Sequence, residues 1–254
     1  MMITLLLVLF FLMLLIGGNR GVDSFFALVR TMIALVISIY LMAWGIPAIL
    51  VTLLVSGFFV ATVLYMQNGV NVKMHAAAIS VGIVVILVVL TAGPVLWKAG
   101  ISGYNEIEQY EEISMYLSAD LSVSMWMISL CAVVFGLLGA IMDTSVAITT
   151  AVNEVYENNQ GLSEKELFSS GMHVGKDILG TTVNTLFFAG LGESIMLAIL
   201  FMKNNDSFAT ILNSKSLFQE VSGILIGAGG CLLIIPLSSL IVAKMIKKRD
   251  YLYR

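Results

Sequence analysis

The 254-residue sequence is 59% hydrophobic and only 11% charged, with a mean hydropathy of +1.00. Such a chain has too little polar surface to cover a water-soluble globule, so its composition predicts a membrane protein. Thirteen basic and sixteen acidic residues give a net charge of −3. Without a basic domain or a polycationic tail, the sequence argues against nucleic acid as a partner.

Seven apolar runs set the predicted architecture. A helix needs about 20 apolar residues to cross a hydrocarbon core of about 30 Å, and the runs cover residues 2–17, 24–44, 48–65, 74–97, 121–142, 178–201 and 217–246. They predict an all-α, polytopic transmembrane bundle of about seven spans. The first run has no positive n-region and no small-x-small cleavage site, so we expect a retained helix and not a secretory signal.

The distribution of Lys and Arg predicts the orientation of these spans. Arg20, Arg30 and Lys73 fall on the same side as the basic tail, whereas residues 98–120 are acidic. The positive-inside rule then places the N-terminus outside and the C-terminus in the cytoplasm of a bacterial inner membrane. Three regions follow: a four-helix membrane scaffold at 1–97, an acidic extracytoplasmic loop at 98–120 and a three-helix unit at 121–254.

The fifth helical pattern holds the first acid inside a predicted span. Asp143 follows about twenty mostly apolar residues, and the helical pattern continues past the bilayer to Gly161. An ionised carboxylate there costs several kcal/mol unless it meets a cation, water or donors. A functional role, a structural hydrogen bond and an interfacial position all remain open. Gly136 and Ala140, four residues apart, predict a close contact with another helix.

A short cytoplasmic amphipathic helix is predicted between spans five and six. Ser163 and Glu166 have the spacing of a capping box, in which each side chain satisfies a backbone amide at a helix start. Gly171 and Gly175 allow this segment to approach another backbone closely.

The sixth span has a polar face. Asp177, Thr181 and Asn184 recur at helical spacing, and Thr182 lies beside them. Such a stripe either lines a water-filled path or joins helices by hydrogen bonds. Further along, Glu193 is a second intramembrane acid, near a helix break that Gly190 and Gly192 could cause. The last span has Gly223 and Gly227 at the spacing that favours tight helix packing.

Metal, cofactor and catalytic sites are not predicted. Cys131 and Cys231 sit inside apolar runs, where cysteine behaves as a small hydrophobe. Neither His75 nor His173 has an evident second ligand, and no hydrolase or metalloprotease motif occurs. We therefore expect a protein that is not an enzyme.

Residues 139–154 (GAIMDTSVAITTAVNE) and 170–186 (SGMHVGKDILGTTVNTL) resemble the YibE/F family of bacterial membrane proteins. A chain this short resembles the YibF-type subunit, which implies a YibE-like partner with an extracytoplasmic domain. The last three spans also distantly resemble the export subunit SecF and the resistance-nodulation-division transporters. There too an Asp-Thr pair, here Asp143-Thr144, precedes a charged stretch, a Thr-rich helix and a Gly-rich helix. Residues 153–158 lack the arginines of the SecF pattern.

Two functional hypotheses follow. The first is a subunit of an ion- or proton-coupled transport or export complex, in which protonation of Asp143 shifts helix packing. Its candidate coupling residues are Asp143, Thr144, Asp177, Thr181, Thr182, Asn184 and Glu193. The alternative is a non-catalytic scaffold in which the polar stripe holds helices together, and homo-oligomers are compatible with either hypothesis.

Overall fold

The computed structural model of the chain describes residues 1–99, 125–204 and 206–253. They form seven α-helices: α1 (Met2–Ala43), α2 (Ala48–Val60), α3 (Val72–Lys98), α4 (Met125–Asn158), α5 (Glu164–Asn204), α6 (Phe208–Leu212) and α7 (Lys215–Tyr253). A π-helical segment, Ala61–Met66, extends α2. No strand occurs within these ranges, which confirms the predicted all-α class. Residues 100–120, most of the predicted acidic loop, lie outside the described residues.

Six of the helices, α1 to α5 and α7, are long and apolar enough to cross a membrane. The span that begins with α2 includes its π-helical extension. The chain is therefore a multi-pass helical membrane protein, as its composition predicts. The last five predicted spans correspond to α2, α3, α4, α5 and α7.

Helix α1 contains the first two predicted spans, joined at a sharp bend. Gly18 has φ 56° and ψ −136°, a conformation outside the helical region and nearly restricted to glycine. The rings of Phe10 and Phe25 contact each other with centroids 5.0 Å apart. Fifteen residues of continuous helix would separate them by about 22 Å along the axis. The chain thus turns back at Gly18, and six helices contain seven apolar segments.

The core lies between α3, α4 and α7. Leu137, Ile141 and Ile234 are buried there, and the absence of a side chain at Gly230 lets Val84 of α3 and both α4 residues approach α7. One polar contact joins all three helices, because the Ser145 hydroxyl lies 2.8 Å from that of Ser238 and 3.4 Å from the carbonyl oxygen of Ala77. Hydroxyls satisfied in this way stabilise helix association in a low-dielectric interior.

Helix α5 differs from the prediction of a separate amphipathic helix. It runs without interruption from Glu164 to Asn204, through the glycines at 171, 175, 190 and 192. Glycine lowers helix propensity by about 1 kcal/mol relative to Ala. Tight packing compensates at Gly171 and Gly175, where a Cβ would overlap Ser239 and Ile235 of α7. The predicted amphipathic segment is therefore the first part of α5, and no break precedes Glu193.

The N-terminus of α5 forms the predicted capping box. The Ser163 amide donates to the Glu166 carboxylate at 2.7 Å, and the Glu166 amide points back to the Ser163 hydroxyl oxygen at 3.4 Å. Because a lost cap costs about 1 kcal/mol, Ser163→Ala should accelerate hydrogen exchange of the first-turn amides roughly fivefold. Ser169→Ala, on an exposed position two turns later, is the matched control. Equal protection in both variants would contradict a capping role for Ser163.

Candidate functional site

A cavity of about 230 Å³ lies between α4, α5 and α7. Its polar lining comes from Ser129 of α4, Glu193 of α5, and Gln219 and Glu220 of α7. Its apolar wall contains small residues on all three helices: Ala132, Gly136, Ala189, Gly190, Gly223 and Gly227. Larger side chains at these positions would fill the space, so Gly136, Gly223 and Gly227, which the sequence predicts as packing residues, form part of the cavity wall.

Glu193 and Glu220 enter this cavity from two neighbouring helices. A Cβ on Gly190 would overlap the side chain of Ile224, so α5 and α7 are in close contact there. Glu193 lies three residues beyond Gly190, and Glu220 lies four residues before Ile224, about one helical turn from the contact in each case. Both residues therefore line the same cavity. Within the described ranges, neither forms a hydrogen bond or an ion pair.

Asp143 lies elsewhere, on the exposed surface of α4. Its neighbour Thr144 points inward, is 3% exposed, and has a hydroxyl without a hydrogen-bond partner among the described residues. Asp143 shares a face with Ala132 and Gly136, because steps of four and seven residues return to one side of a helix. It is therefore on the cavity side of α4, about 10 Å further along the axis than Gly136.

The polar stripe of α5 is also exposed. Asp177, Thr181 and Asn184 are accessible, and Thr182 is half-buried. The hydroxyls of Thr181 and Thr182 both donate to the backbone carbonyl of Ile178, at 2.8 and 3.0 Å. Within one chain, the structure does not bring these donors to the Asp143 carboxylate.

The predicted packing residues take different places. Gly171 and Gly175 are buried against α7, and Gly223 and Gly227 line the cavity. Ala140 is half-buried. Gly136 is exposed and has open space where a Cβ would point.

The sequence profile described as YibE/F-like protein matches residues 5–248, nearly the whole chain. The chain belongs to the YibE/F-like family. Comparisons with curated proteins and with solved structures found no match. The resemblance of the last three spans to SecF is not confirmed by these comparisons.

In this YibE/F-like protein, sequence reasoning singled out Glu193 but missed its counterpart Glu220. The available signal was an acid near the start of the predicted span 217–246. Gln219 and Ser129 carried no comparable signal, because a single amide or hydroxyl is common in membrane helices. Only the approach of three helices shows that these side chains share a cavity.

The histidines of the YibE/F-like protein are not gathered into a metal site. The His75 ring nitrogen lies 3.0 Å from the Tyr65 hydroxyl, and His173 lies 3.9 Å from Asp177 on the exposed side of α5. The described part of the chain contains no cluster of three or more His, Cys, Asp or Glu side chains that could hold a metal ion.

Proposed function

We propose that this YibE/F-like protein is a membrane subunit of an ion- or proton-coupled transport or export complex, and that Glu193 and Glu220 bind the coupling proton or cation. One observation supports the proposal above all. Two carboxylates from different membrane-spanning helices share a cavity, and the described residues offer them no cation.

The energetics of paired carboxylates explain why such a site binds a positive charge. Like charges disfavour each other, and the penalty grows as water is excluded. A proton shared between the two groups, or a cation between them, removes that penalty. Ser129 and Gln219 add neutral oxygen atoms, which hard cations accept as ligands. Acids in transmembrane segments commonly belong to proton relays and ion pathways.

Neutralisation of the pair would alter the contact between α5 and α7. Close packing at Gly190 holds the two helices together one turn from the carboxylates. Repulsion between two ionised groups favours separation of the helix ends, whereas an occupied site favours closure. Binding and helix movement are therefore linked, as coupled transport requires.

The residues predicted from the sequence extend this proposal along α4. Asp143 lies on the same face of α4 as the cavity-lining Ala132 and Gly136, so a proton leaving the cavity along that face would next meet the Asp143 carboxylate. The family resemblance supports a YibE-like partner with an extracytoplasmic domain. The basic tail supports a bacterial inner-membrane location with the C-terminus in the cytoplasm.

A larger cavity, of about 530 Å³, does not suit this role as well. It lies at the connection from α5 to α6 and is lined by Asn204, Asp206, Thr210 and Asn213, among others. Asp206 is the only acid among its lining residues. It therefore lacks the paired charges on which the proposed coupling site of the smaller cavity depends.

The test is proton and cation flux in liposomes that contain the chain together with its partner subunit. Glu193→Gln and Glu220→Gln should each lower gradient-driven flux at least tenfold, because one carboxylate alone no longer requires a shared proton or cation. Glu154→Gln, which neutralises an exposed acid of α4 outside the cavity, should leave flux unchanged. Equal flux in all three variants would refute the proposed coupling role.

A scaffold role is the second candidate, and the exposed stripe of α5 favours it. Polar side chains on the outer face of a membrane helix are what an assembly surface needs. If the assembled complex shows no flux, yet Asp143→Asn weakens copurification with the partner, the scaffold hypothesis is the correct one.

A further inference from the structure

The exposed stripe of α5 cannot remain in contact with lipid at low cost. Asn184 and Thr185 follow Asp177 and Thr181 on accessible positions within a membrane-spanning helix. The Asn184 amide has no hydrogen-bond partner among the residues that the structure describes. The Thr181 and Thr185 hydroxyls donate to backbone carbonyls of α5. By contrast, hydrocarbon offers no hydrogen bond to the Asn184 amide or the Asp177 carboxylate, and such groups normally face protein or water.

Helix α4 presents a complementary group at nearly the same depth. Two sets of contacts fix the relative depth of α4 and α5. Val152 of α4 would lie 3.0 Å from a Cβ on Gly171 of α5, and Leu137 of α4 and Leu186 of α5 would both lie within 4.0 Å of a Cβ on Gly227. Interpolation between these contacts places Asp143 level with Gly180, and Asn184 lies about 6 Å further along α5. Side chains on a helix lean toward its N-terminus. Because α4 and α5 are antiparallel, the Asp143 and Asn184 side chains lean in opposite directions along the membrane normal, which brings their polar atoms to nearly the same depth.

We propose that two copies of this chain associate side by side through these surfaces, with Asn184 of each copy donating a hydrogen bond to Asp143 of the other. Rotation about a two-fold axis along the membrane normal leaves the depth of every residue in the membrane unchanged. The acceptor Asp143 and the donor Asn184, which lie at similar depth but do not meet within one chain, can therefore meet between two copies. The interface is self-complementary, because each copy supplies both groups. It goes beyond the coupling role of the cavity and does not depend on it.

Charges at one end of the stripe fit the same arrangement. Lys176 and Asp177 are adjacent and exposed. Across a two-fold axis, Lys176 of one copy can approach Asp177 of the other, which gives two opposite-charge contacts. A different partner chain would have to supply both the amide donor and this charge pattern itself, whereas a second copy already contains them.

Disulfide trapping between two differently tagged copies tests the interface. One copy carries Asp143→Cys and the other Asn184→Cys, both with Cys131→Ala and Cys231→Ala. Oxidation in the membrane should yield a mixed disulfide, because the proposed interface places positions 143 and 184 of the two copies side by side. A disulfide requires that the two Cβ atoms come within about 4.5 Å, so it reports direct proximity. Leu90→Cys, on an exposed apolar position of α3, replaces either cysteine as the control and should give no cross-link. Both native cysteines are buried and therefore inaccessible to cross-linking. If the variant with Cys131→Ala and Cys231→Ala folds poorly, the same experiment can be done with the native cysteines in place.

Dimer dissociation in lipid vesicles provides a second measurement. Asn184→Leu removes two symmetric hydrogen bonds and should weaken dimerisation roughly tenfold, whereas Phe187→Leu, an exposed neighbour on α5, should not. A chain that is monomeric in vesicles, a mixed cross-link no stronger than the Leu90→Cys control, or trapping of Asn184→Cys by a different protein would each overturn the proposal. If the Glu193 and Glu220 variants lose flux but still form the cross-link, the result bears on the cavity and not on the dimer interface.

Discussion

Gly175→Leu should destabilise the fold by at least about 3 kcal/mol. Gly175 is buried where α5 crosses α7, and even a methyl group at this position would overlap the side chain of Ile235. Ile235 itself is 3% exposed and has little room to move. Overpacking of a filled core costs about 1–3 kcal/mol for small additions, and leucine adds three further carbon atoms. The loss should appear as a lower melting temperature of the detergent-solubilised protein.

Two comparisons make this expectation specific to the packing contact. Gly192→Leu changes a glycine of the same helix whose Cβ would meet nothing within 4 Å, so it should be neutral or slightly stabilising through helix propensity. The smaller change Gly175→Ala should be partly rescued by Ile235→Ala, which makes room for the new methyl group. If Gly175→Leu and Gly192→Leu lower the melting temperature equally, the close contact does not determine stability.

The sequence predicted the helical segments well because a bilayer imposes one strong constraint. Every backbone group must be satisfied within the membrane, so an apolar run of sufficient length forms a helix whatever its neighbours are. The limits of α3 and α7 accordingly include the predicted spans 74–97 and 217–246. The bend at Gly18 lies between the predicted spans 2–17 and 24–44, where a chain with two separate spans must reverse.

The candidate site was harder to predict, because it depends on which helix faces meet. Spacing places Asp177, Thr181 and Asn184 on one face of α5, but it does not say whether that face is buried. In the structure they are exposed. The same holds for Asp143, whose neighbour Thr144 takes the inward position. Glu193 acquires a special environment only because Glu220 enters the same cavity from α7, a juxtaposition that no local pattern contains.

The continuity of α5 shows the same limit in another form. Glycines at 171, 175, 190 and 192 predict weak points when they are judged by propensity alone. In the folded chain three of them face α7 or its side chains, at Gly171, Gly175 and Gly190. Packing that only glycine permits therefore stabilises the helix at the positions where propensity disfavours it.

Glu220→Lys should abolish coupled flux while preserving the fold. The new ammonium group would share the cavity with the Glu193 carboxylate, so an attractive pair would replace two like charges. Such a pair supplies the positive charge permanently and leaves no need for a proton or an external cation. We expect gradient-driven flux to fall more than tenfold, with a melting temperature equal to or above that of the wild type.

The double variant Glu193→Lys/Glu220→Lys is the decisive comparison. It restores like charges with the opposite sign, so repulsion returns and the melting temperature should fall below that of Glu220→Lys alone. While it is charged, neither lysine of the double variant can bind a metal cation. Cation flux should therefore stay absent in both variants. If Glu220→Lys transports like the wild type, the two carboxylates do not form the coupling site, even though the structure places them in one cavity.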